Sequence, residues 1–575
     1  MANSYIDIKE IQFHLHNDMM QHIVELKEKG FADAGKYDYA PVDFDDAMDT
    51  YEKVLEVVGD INANIIAPNA ESVDAEGTHC ENGRVRYAAK TYENLDAVNK
   101  AGLNGITMPR RYGGLSLPVV VYTAINDIVS AGDAGFENVW SLQDCIETLY
   151  CFGTEDQRQR YIPRVCAGET MSMDLTEPDA GSDLQSVMLR ATYDEECNCW
   201  RLNGVKRFIT NGDSDIHLVL ARSEEGTRDG RGLSMFIYDK HNGGVDVRRI
   251  ENKLGIHGSP TCELTFKNAK AELCGDRKLG LIRYVMSLMN GARLGIAVQS
   301  VGIQQAAYEE AVAYANSRRQ YGREIINFPA VYDMVATIKA RLDAGRSLLY
   351  QCARYVDIYK ALEDIQRERP LTSEERQEMK KFQRLADAFT PLAKGINSEF
   401  CNQSSYDCIQ IHGGSGYMQE YKCQRLYRDA RITSIYEGTT QLQVVAALRY
   451  ITNGTYLNVI NEQMEEIKRL SEQSQMDDLT KFTDRLYQIK QSLDECIEYV
   501  KTQENQEVLD FCGRKLYEMT AYAIMCQLLL IDTMRCPELF EKSLTVFFNH
   551  AESEIARHSN YVHNINADVL QKYNS

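Results

Sequence analysis

The sequence predicts a mainly α protein with one β domain in its middle. Three observations carry this. Apolar residues recur at helical spacing through the first 165 or so residues, and again from about residue 279 to the end. Between Met171 and about Lys270 the texture changes to short β-branched and aromatic runs, parted by turn residues at Asn203-Gly204, Asn211-Gly212 and Asn242-Gly243-Gly244. The 575 residues are enough for several domains. The reading is an N-terminal helical domain over 1–165, a middle β-barrel domain over 166–275, a C-terminal four-helix-bundle domain over 276–455, and an appended helical domain over 456–575.

In chain order, Phe44, Ala47, Met48, Tyr51, Val54, Leu55 and Val58 mark the first long helix. Helices follow over 91–101, 119–131 and 136–152, and Thr154-Glu155-Asp156-Gln157 has the form of a capped helix start. Strands are predicted over 187–192, 200–202, 207–210, 217–222, 233–238, 245–249 and 263–266, as an antiparallel barrel or sandwich. The bundle helices are predicted over 289–317, 330–359, 374–401 (interrupted at Pro391) and 441–451. Helices over 457–472, 477–502, 507–534 and 539–557 complete the chain and contain no chemical motif.

Composition is that of a soluble protein, with 44% hydrophobic and 26% charged residues. The net charge of −21 argues against a nucleic-acid partner or an anionic membrane surface. No apolar run is long enough for a membrane-inserted helix, and the N-terminus lacks the basic-then-apolar pattern of a signal peptide. The 16 cysteines contain no C-x-x-C pair. Cys197 and Cys199 form a lone C-x-C without matching zinc-ligand spacing, so no metal is expected. Scattered cysteines fit a reducing, cytoplasmic setting.

The stretch Ile435-Tyr436-Glu437-Gly438-Thr439 organises the chemistry. Thr439 suits the cap of a following helix, and Gly438 permits a tight turn just before it. Glu437 is then presented beside a helix N-terminus and an aromatic ring. Kept from water there, its carboxylate would gain basicity and could take a proton near neutral pH. On this stretch alone, an ordinary solvated turn glutamate is the commoner outcome.

Five motifs, in order, change that balance. The segment Met173-Asp174-Leu175-Thr176-Glu177-Pro178-Asp179-Ala180-Gly181-Ser182-Asp183 resembles the T-E-P-x-A-G-S-D signature of the acyl-CoA dehydrogenase family. Its Pro-broken extended backbone offers polar groups to a flavin edge. The resemblance implies FAD contacts from Met173, Leu175, Thr176 and Ser182, with Ser182 also facing substrate. Phe208-Ile209-Thr210-Asn211-Gly212 is similar to the family's W-I-T-N-G strand, with Phe in place of the usual Trp; Phe208 and Thr210 would flank the flavin ring. Asn290-Gly291-Ala292-Arg293 matches a position that contacts the CoA part of the substrate through Asn290 and Arg293. Some branches place the catalytic base where Ala292 stands here, which leaves Glu437 as the implied base. Arg318-Arg319-Gln320-Tyr321-Gly322 resembles R-x-x-F-G, implying Arg318 and Gln320 at the FAD pyrophosphate of a neighbouring subunit. Gln410-Ile411-His412-Gly413-Gly414-Ser415-Gly416 resembles the Q-x-x-G-G-x-G turn, implying Gln410, Gly413 and Gly414 at the same cofactor. Glu437-Gly438-Thr439-Thr440-Gln441 matches E-G-T-x-Q, with Thr439 and Gln441 toward FAD, and Tyr436 and Gly438 toward substrate.

The resemblance covers roughly 45–455. The C-terminal extension is similar in length and helicity to that of longer bacterial members, including those acting on methylthiopropionyl-CoA. The implied activity is FAD-dependent α,β-dehydrogenation of an acyl-CoA to the trans-2-enoyl-CoA. Glu437 would abstract the α-proton, hydride would pass to flavin N5, and electrons would go to an electron-transferring flavoprotein. Cross-subunit FAD contacts imply a homodimer or homotetramer. The alternatives are an acyl-CoA oxidase using O₂ and an FAD-free helical scaffold of the same fold.

Overall fold

The structure, a computed structural model, describes residues 2–473, 480–503 and 505–574. The chain divides into two compact units, Met1–Gly295 and Ile296–Ser575. Among the described residues no helix is long and apolar enough to cross a membrane.

The first unit begins with helices and carries the sheet. Asp43 caps the helix Phe44–Ile61 by accepting from the Asp46 amide, which satisfies one of the end's orphan donors. Helix Val119–Gly132 is buried nearly all round, so it is the centre of the helical layer rather than an amphipathic cover. The expected helix over 136–152 is two helices, Ala134–Trp140 and Ile146–Phe152, joined by a 3₁₀ turn over Ser141–Cys145. Asp133 caps the first of them, a local hydrogen-bonding choice that apolar spacing does not encode. Thr154 and Gln157 form the expected capping box.

The sheet has seven strands. Its order is Met171–Asp174, Ile216–Arg222, Arg190–Asp194, Cys199–Thr210, Thr261–Cys274, Leu233–Asp239. Leu233–Asp239 pairs back onto Ile216–Arg222, and Val245–Ile250 lies against Thr261–Cys274. Closure removes most of the exposed edge. Two expectations are corrected here. The sheet is not purely antiparallel, because Met171–Asp174 enters from the helical layer and lies parallel to Ile216–Val219. The strands expected over 200–202 and 207–210 are one strand, Cys199–Thr210, which continues through Asn203-Gly204 with a register shift there. Gly204 is needed for close approach rather than for a turn: a Cβ there would sit 3.1 Å from Leu189 Cα. Leu202, Ile209, Phe236, Leu264 and Phe266 are among the buried residues that fill the interior.

The second unit is helical. Pro329–Glu368 and Ser373–His412 form a long hairpin, each longer than periodicity suggested, flanked by Lys422–Thr433 and Thr440–Thr452. The interruption expected at Pro391 does not occur. Helix Ser373–His412 continues through it, and two tyrosine hydroxyls brace carbonyls of the adjoining turns. Tyr456 bonds Ala388 O, and Tyr517 bonds Pro391 O and Leu392 O at 2.9 Å each. Both tyrosines come from the C-terminal helices Thr455–Gln473, Thr480–Lys501, Gln506–Arg535 and Pro537–Asn564. The expected start of the second of these, at Asp477, lies outside the described residues.

Asp532 ties this extension to the bundle. It is buried, accepts from Ser347 Oγ at 2.6 Å, and burial pushes its carboxyl up to about 6. A raised acid stabilises the fold below its unfolded value and loses that contribution as pH rises through its folded value. Asp532→Asn should therefore remove a pH dependence. Its urea-unfolding free energy should gain on the wild type by up to about 3 kcal/mol between pH 4 and 6.5. Parallel curves for the two proteins across that window would contradict the assignment.

Candidate active site

The residues singled out in the sequence fall into three groups, one in the first unit and two in the second. In the first unit, the segment after strand Met171–Asp174 is irregular but tightly held. Lys206 is fully buried, and its Nζ donates to Leu175 O at 2.8 Å and to Glu177 Oε1 at 3.0 Å. The Glu177 carboxylate also accepts the Met188 and Leu189 amides at 2.7 and 2.8 Å. Burial lowers the Lys206 ammonium, and Glu177 opposes that shift. The Arg207 amide donates to Thr176 O at 2.9 Å, so the Leu175–Glu177 backbone is laid against the strand that carries Phe208 and Thr210.

That strand is bulged between Lys206 and Ile209, which turns Phe208 outward. Phe208 has φ 60 and is 52% exposed, with the Arg207 guanidinium 4.6 Å from its ring centre. A non-glycine residue in the left-handed region presenting a large ring to solvent carries strain that no core packing repays. This is what a wall for a planar ligand requires. Thr176 and Thr210 are half-buried and Ser182 is exposed. A Cβ on Gly181 would meet only Thr176 Cγ2, at 3.8 Å. Met173 and Leu175 join the apolar cluster that also takes Leu288 and Met289, so the helix start carrying Asn290 and Arg293 rests on the same base. That helix, Met286–Ser317, begins after a π-helical turn over Gly280–Val285.

In the second unit, Glu437 sits on a turn with φ 53, half-buried, directly before the helix Thr440–Thr452. Thr439 caps that helix, as expected, accepting the Leu442 amide at 3.4 Å. The turn is held by its carbonyls. Lys394 Nζ, fully buried, donates to Gly438 O at 2.7 Å, and Gln443 Nε2 donates to Gly438 O at 2.8 Å and Glu437 O at 3.3 Å. Gly438 is at φ 90, and a Cβ there would lie 2.8 Å from Gln443 Nε2, so both backbone and space demand glycine. The Tyr436 hydroxyl donates to the buried Gln299 Oε1. Gln441 is exposed on the first turn of the helix.

Arg318, Gln320, Gln410, Gly413 and Gly414 form a separate exposed cluster. Tyr314 joins its parts: its carbonyl accepts the Arg318 amide, its ring stacks on His412 at 4.1 Å, and its hydroxyl donates to Ser415. Arg319 is spent on Glu324 and Gly322 O, and Arg323 lies over Phe328. The Arg318 side chain has no ion-pair partner among the described residues. A Cβ on Gly413 or Gly414 would meet no atom of the chain within 4 Å. Glycine at the exposed Gly414, whose φ is not left-handed, is not explained by the chain's own packing; it fits close approach by a group from outside. The structure does not bring this cluster to Glu437. Helix rise puts about 28 Å between Lys394 and Gly413 on helix Ser373–His412.

Lys206, Glu177, Lys394 and Gln443 were not singled out as functional in the sequence. For Lys206, Lys394 and Gln443 the one visible signal is a charged or amide side chain among core-spaced apolar residues; Glu177 lies within the T-E-P segment itself.

Comparison with known proteins agrees with both halves. Models of the acyl-CoA dehydrogenase N-terminal, middle and C-terminal domains match residues 48–169, 172–269 and 282–451, and a further acyl-CoA dehydrogenase C-terminal model matches 452–570. An acyl-CoA dehydrogenase of Bacillus subtilis is 34% identical, over 71% of this chain and 99% of its own length. The 3-methylmercaptopropionyl-CoA dehydrogenase of Ruegeria pomeroyi is 33% identical over 70% of each chain. A crystal structure of an acyl-CoA dehydrogenase complexed with FAD from Bacillus anthracis shares the fold, with a TM-score of 0.75 at 23% identity over 91% of this chain and 90% of that one. The chain belongs to the acyl-CoA dehydrogenase family. It is a flavoprotein oxidoreductase acting on acyl-CoA, with FAD as cofactor.

Lys206 gives a direct test of how the first group is held. Lys206→Met leaves Glu177 buried beside two amides without its counter-ion, a change of the kind that costs about 3–5 kcal/mol. Urea unfolding should show that loss. A loss under about 1 kcal/mol would mean that the pair does not hold the segment.

Proposed function

We propose that this protein dehydrogenates an acyl-CoA between Cα and Cβ, with Glu437 as the base that removes the α-proton. The observation that carries the reading is the Glu437 turn. Its main chain is clamped by Lys394 and Gln443 through carbonyl oxygens, which fixes where the carboxylate is presented. A base must hold one position relative to the C–H it attacks, and a clamped backbone contributes to this. Bound FAD supplies the acceptor for the β-hydride at its N5. Phe208, Thr176 and Thr210 present the surface for its ring system, and Thr439 and Gln441 would meet its diphosphate and adenosine side. The thioester carbonyl needs polarising as the α-proton leaves, and the Glu437 amide is the donor the family resemblance implies. Asn290, Arg293, Ser182, Tyr436 and Gly438 would hold the CoA ester; of these, the Tyr436 hydroxyl is already engaged by Gln299.

Arg318, Gln320, Gln410, Gly413 and Gly414 would serve the FAD of a second copy, which their distance from Glu437 along one helix supports. A homodimer or homotetramer follows. The acceptor is read as an electron-transferring flavoprotein, on the family resemblance. Fourteen free cysteines fit a reducing cytoplasm.

Glu437→Gln should leave the turn intact, because the clamps bind main-chain atoms. The purified variant should stay yellow and lose anaerobic, substrate-driven flavin bleaching by ~10³-fold, measured with acyl-CoAs of graded chain length. Bleaching at near wild-type rate would remove Glu437 from the mechanism. Stoichiometric hydrogen peroxide during aerobic turnover would replace the flavoprotein acceptor with O₂.

A further inference from the structure

Cys197 and Cys199 stand apart from the chemistry above. They lie at the turn joining strands Arg190–Asp194 and Cys199–Thr210, where Asp194 and Cys199 are register partners. One residue separates them, and Asn198 takes φ 49, a conformation asparagine tolerates better than most. The Tyr193 hydroxyl donates to the Asn198 side chain and fixes that corner. The turn brings the two Cα atoms to 5.3 Å, inside the range a disulfide bridges, and the structure holds the pair as a disulfide. The other fourteen cysteines are free. Cys197 is half-exposed and Cys199 is buried, so an outside reagent meets Cys197 first.

Arg201 is aimed at the same point. Its Nη2 lies 3.5 Å from Cys197 Sγ, while Nε bonds Asp194 at 3.1 Å and Nη1 bonds Asn268 O at 3.3 Å. Three acceptors therefore lock the guanidinium beside one sulfur. The remaining charges around the turn include Asp194, Glu195 and Glu196 on its first arm, Lys270, the register partner of Arg201, and Glu272 on the next strand, and Arg160, which lines a hollow with Asn198, Cys199, Lys270 and Glu272. Asp194 and the two sulfurs lie within 4.8 Å of one another and could in principle ligate a soft cation. A guanidinium hydrogen-bonded to two of the three donors opposes a cation and favours a thiolate.

We propose that Cys197 and Cys199 are a thiol–disulfide exchange site for low-molecular-weight disulfides, with Cys197 as the attacking thiol, Cys199 as the resolving thiol and Arg201 as a positioning residue. The Cys197 thiolate attacks the small disulfide, forming a mixed disulfide and expelling one small thiolate. The Cys199 thiolate then attacks the Cys197 sulfur, closing the protein disulfide and expelling the second. Two electrons pass from the dithiol to the small disulfide, and the two protons end on the two released thiols.

The test uses the full-length holoenzyme, reduced and then equilibrated with glutathione and its disulfide at graded ratios. Alkylation and peptide mass spectrometry follow. The 197–199 pair should lose both labels as the disulfide form rises, while the buried cysteines stay labelled. Cys199→Ser should accumulate one glutathione on residue 197, and Cys197→Ser should accumulate none. Arg201→Gln should raise the pH midpoint of Cys197 alkylation by about one unit, roughly tenfold slower labelling at pH 7, and Arg201→Lys should restore part of it. Labels retained at every ratio, no adduct on Cys199→Ser, or a pH profile unmoved by Arg201→Gln would overturn the proposal. So would zinc bound stoichiometrically by the reduced protein, which would make the trio a metal site.

Discussion

Each of the two functional turns is irregular backbone, and each is held by a fully buried lysine ammonium bonded to one of its carbonyls. Lys206 does this at Leu175 O, and Lys394 at Gly438 O. A turn that must carry a ligand or a base cannot satisfy its backbone through a regular ladder, so its carbonyls need donors from elsewhere. An ammonium offers three donors from one compact point, which suits a crowded turn. The energetic requirement is a partner for its charge, met for Lys206 by Glu177. The turns that present Thr176 and Glu437 are thus secured through main-chain atoms.

The C-terminal extension shares in this support. Tyr517 donates to Pro391 O and Leu392 O, immediately before Lys394 on the same helix. It packs so closely that a Cβ on Gly395 would lie 2.2 Å from its hydroxyl. The helix around Pro391, beneath the Gly438 clamp, is braced by a residue more than a hundred positions downstream. Asp532, bonded to Ser347, adds a second tie between extension and bundle, one that is sensitive to protonation. These contacts join the extension to the helix that carries Lys394 and to the helix that carries Ser347.

Much of the architecture was legible before any coordinates. Helical spacing placed the long helices, turn residues placed the strands, and the Thr154–Gln157 box and the Thr439 cap were read from local chemistry alone. The departures share a cause. Gly204 looks like a turn and is a close approach to Leu189; Pro391 looks like a break and lies in a helix braced by Tyr456 and Tyr517; the span 136–152 looks continuous and is divided by a 3₁₀ turn whose Ser141 carbonyl accepts the Tyr122 hydroxyl. In each case a partner distant in sequence, or a local polar bond, outweighed the pattern.

The order of segments, the motif residues and Glu437 as the candidate base were determined by sequence alone, because residue type and short-range spacing suffice to state them. Tertiary structure decided what holds those residues: which lysine meets which carbonyl, why Phe208 faces outward, and that the Arg318–Gly414 cluster lies far from Glu437 along one helix. These depend on register shifts, helix length and contacts between residues remote in the chain, and no local pattern of amino acids carries that information.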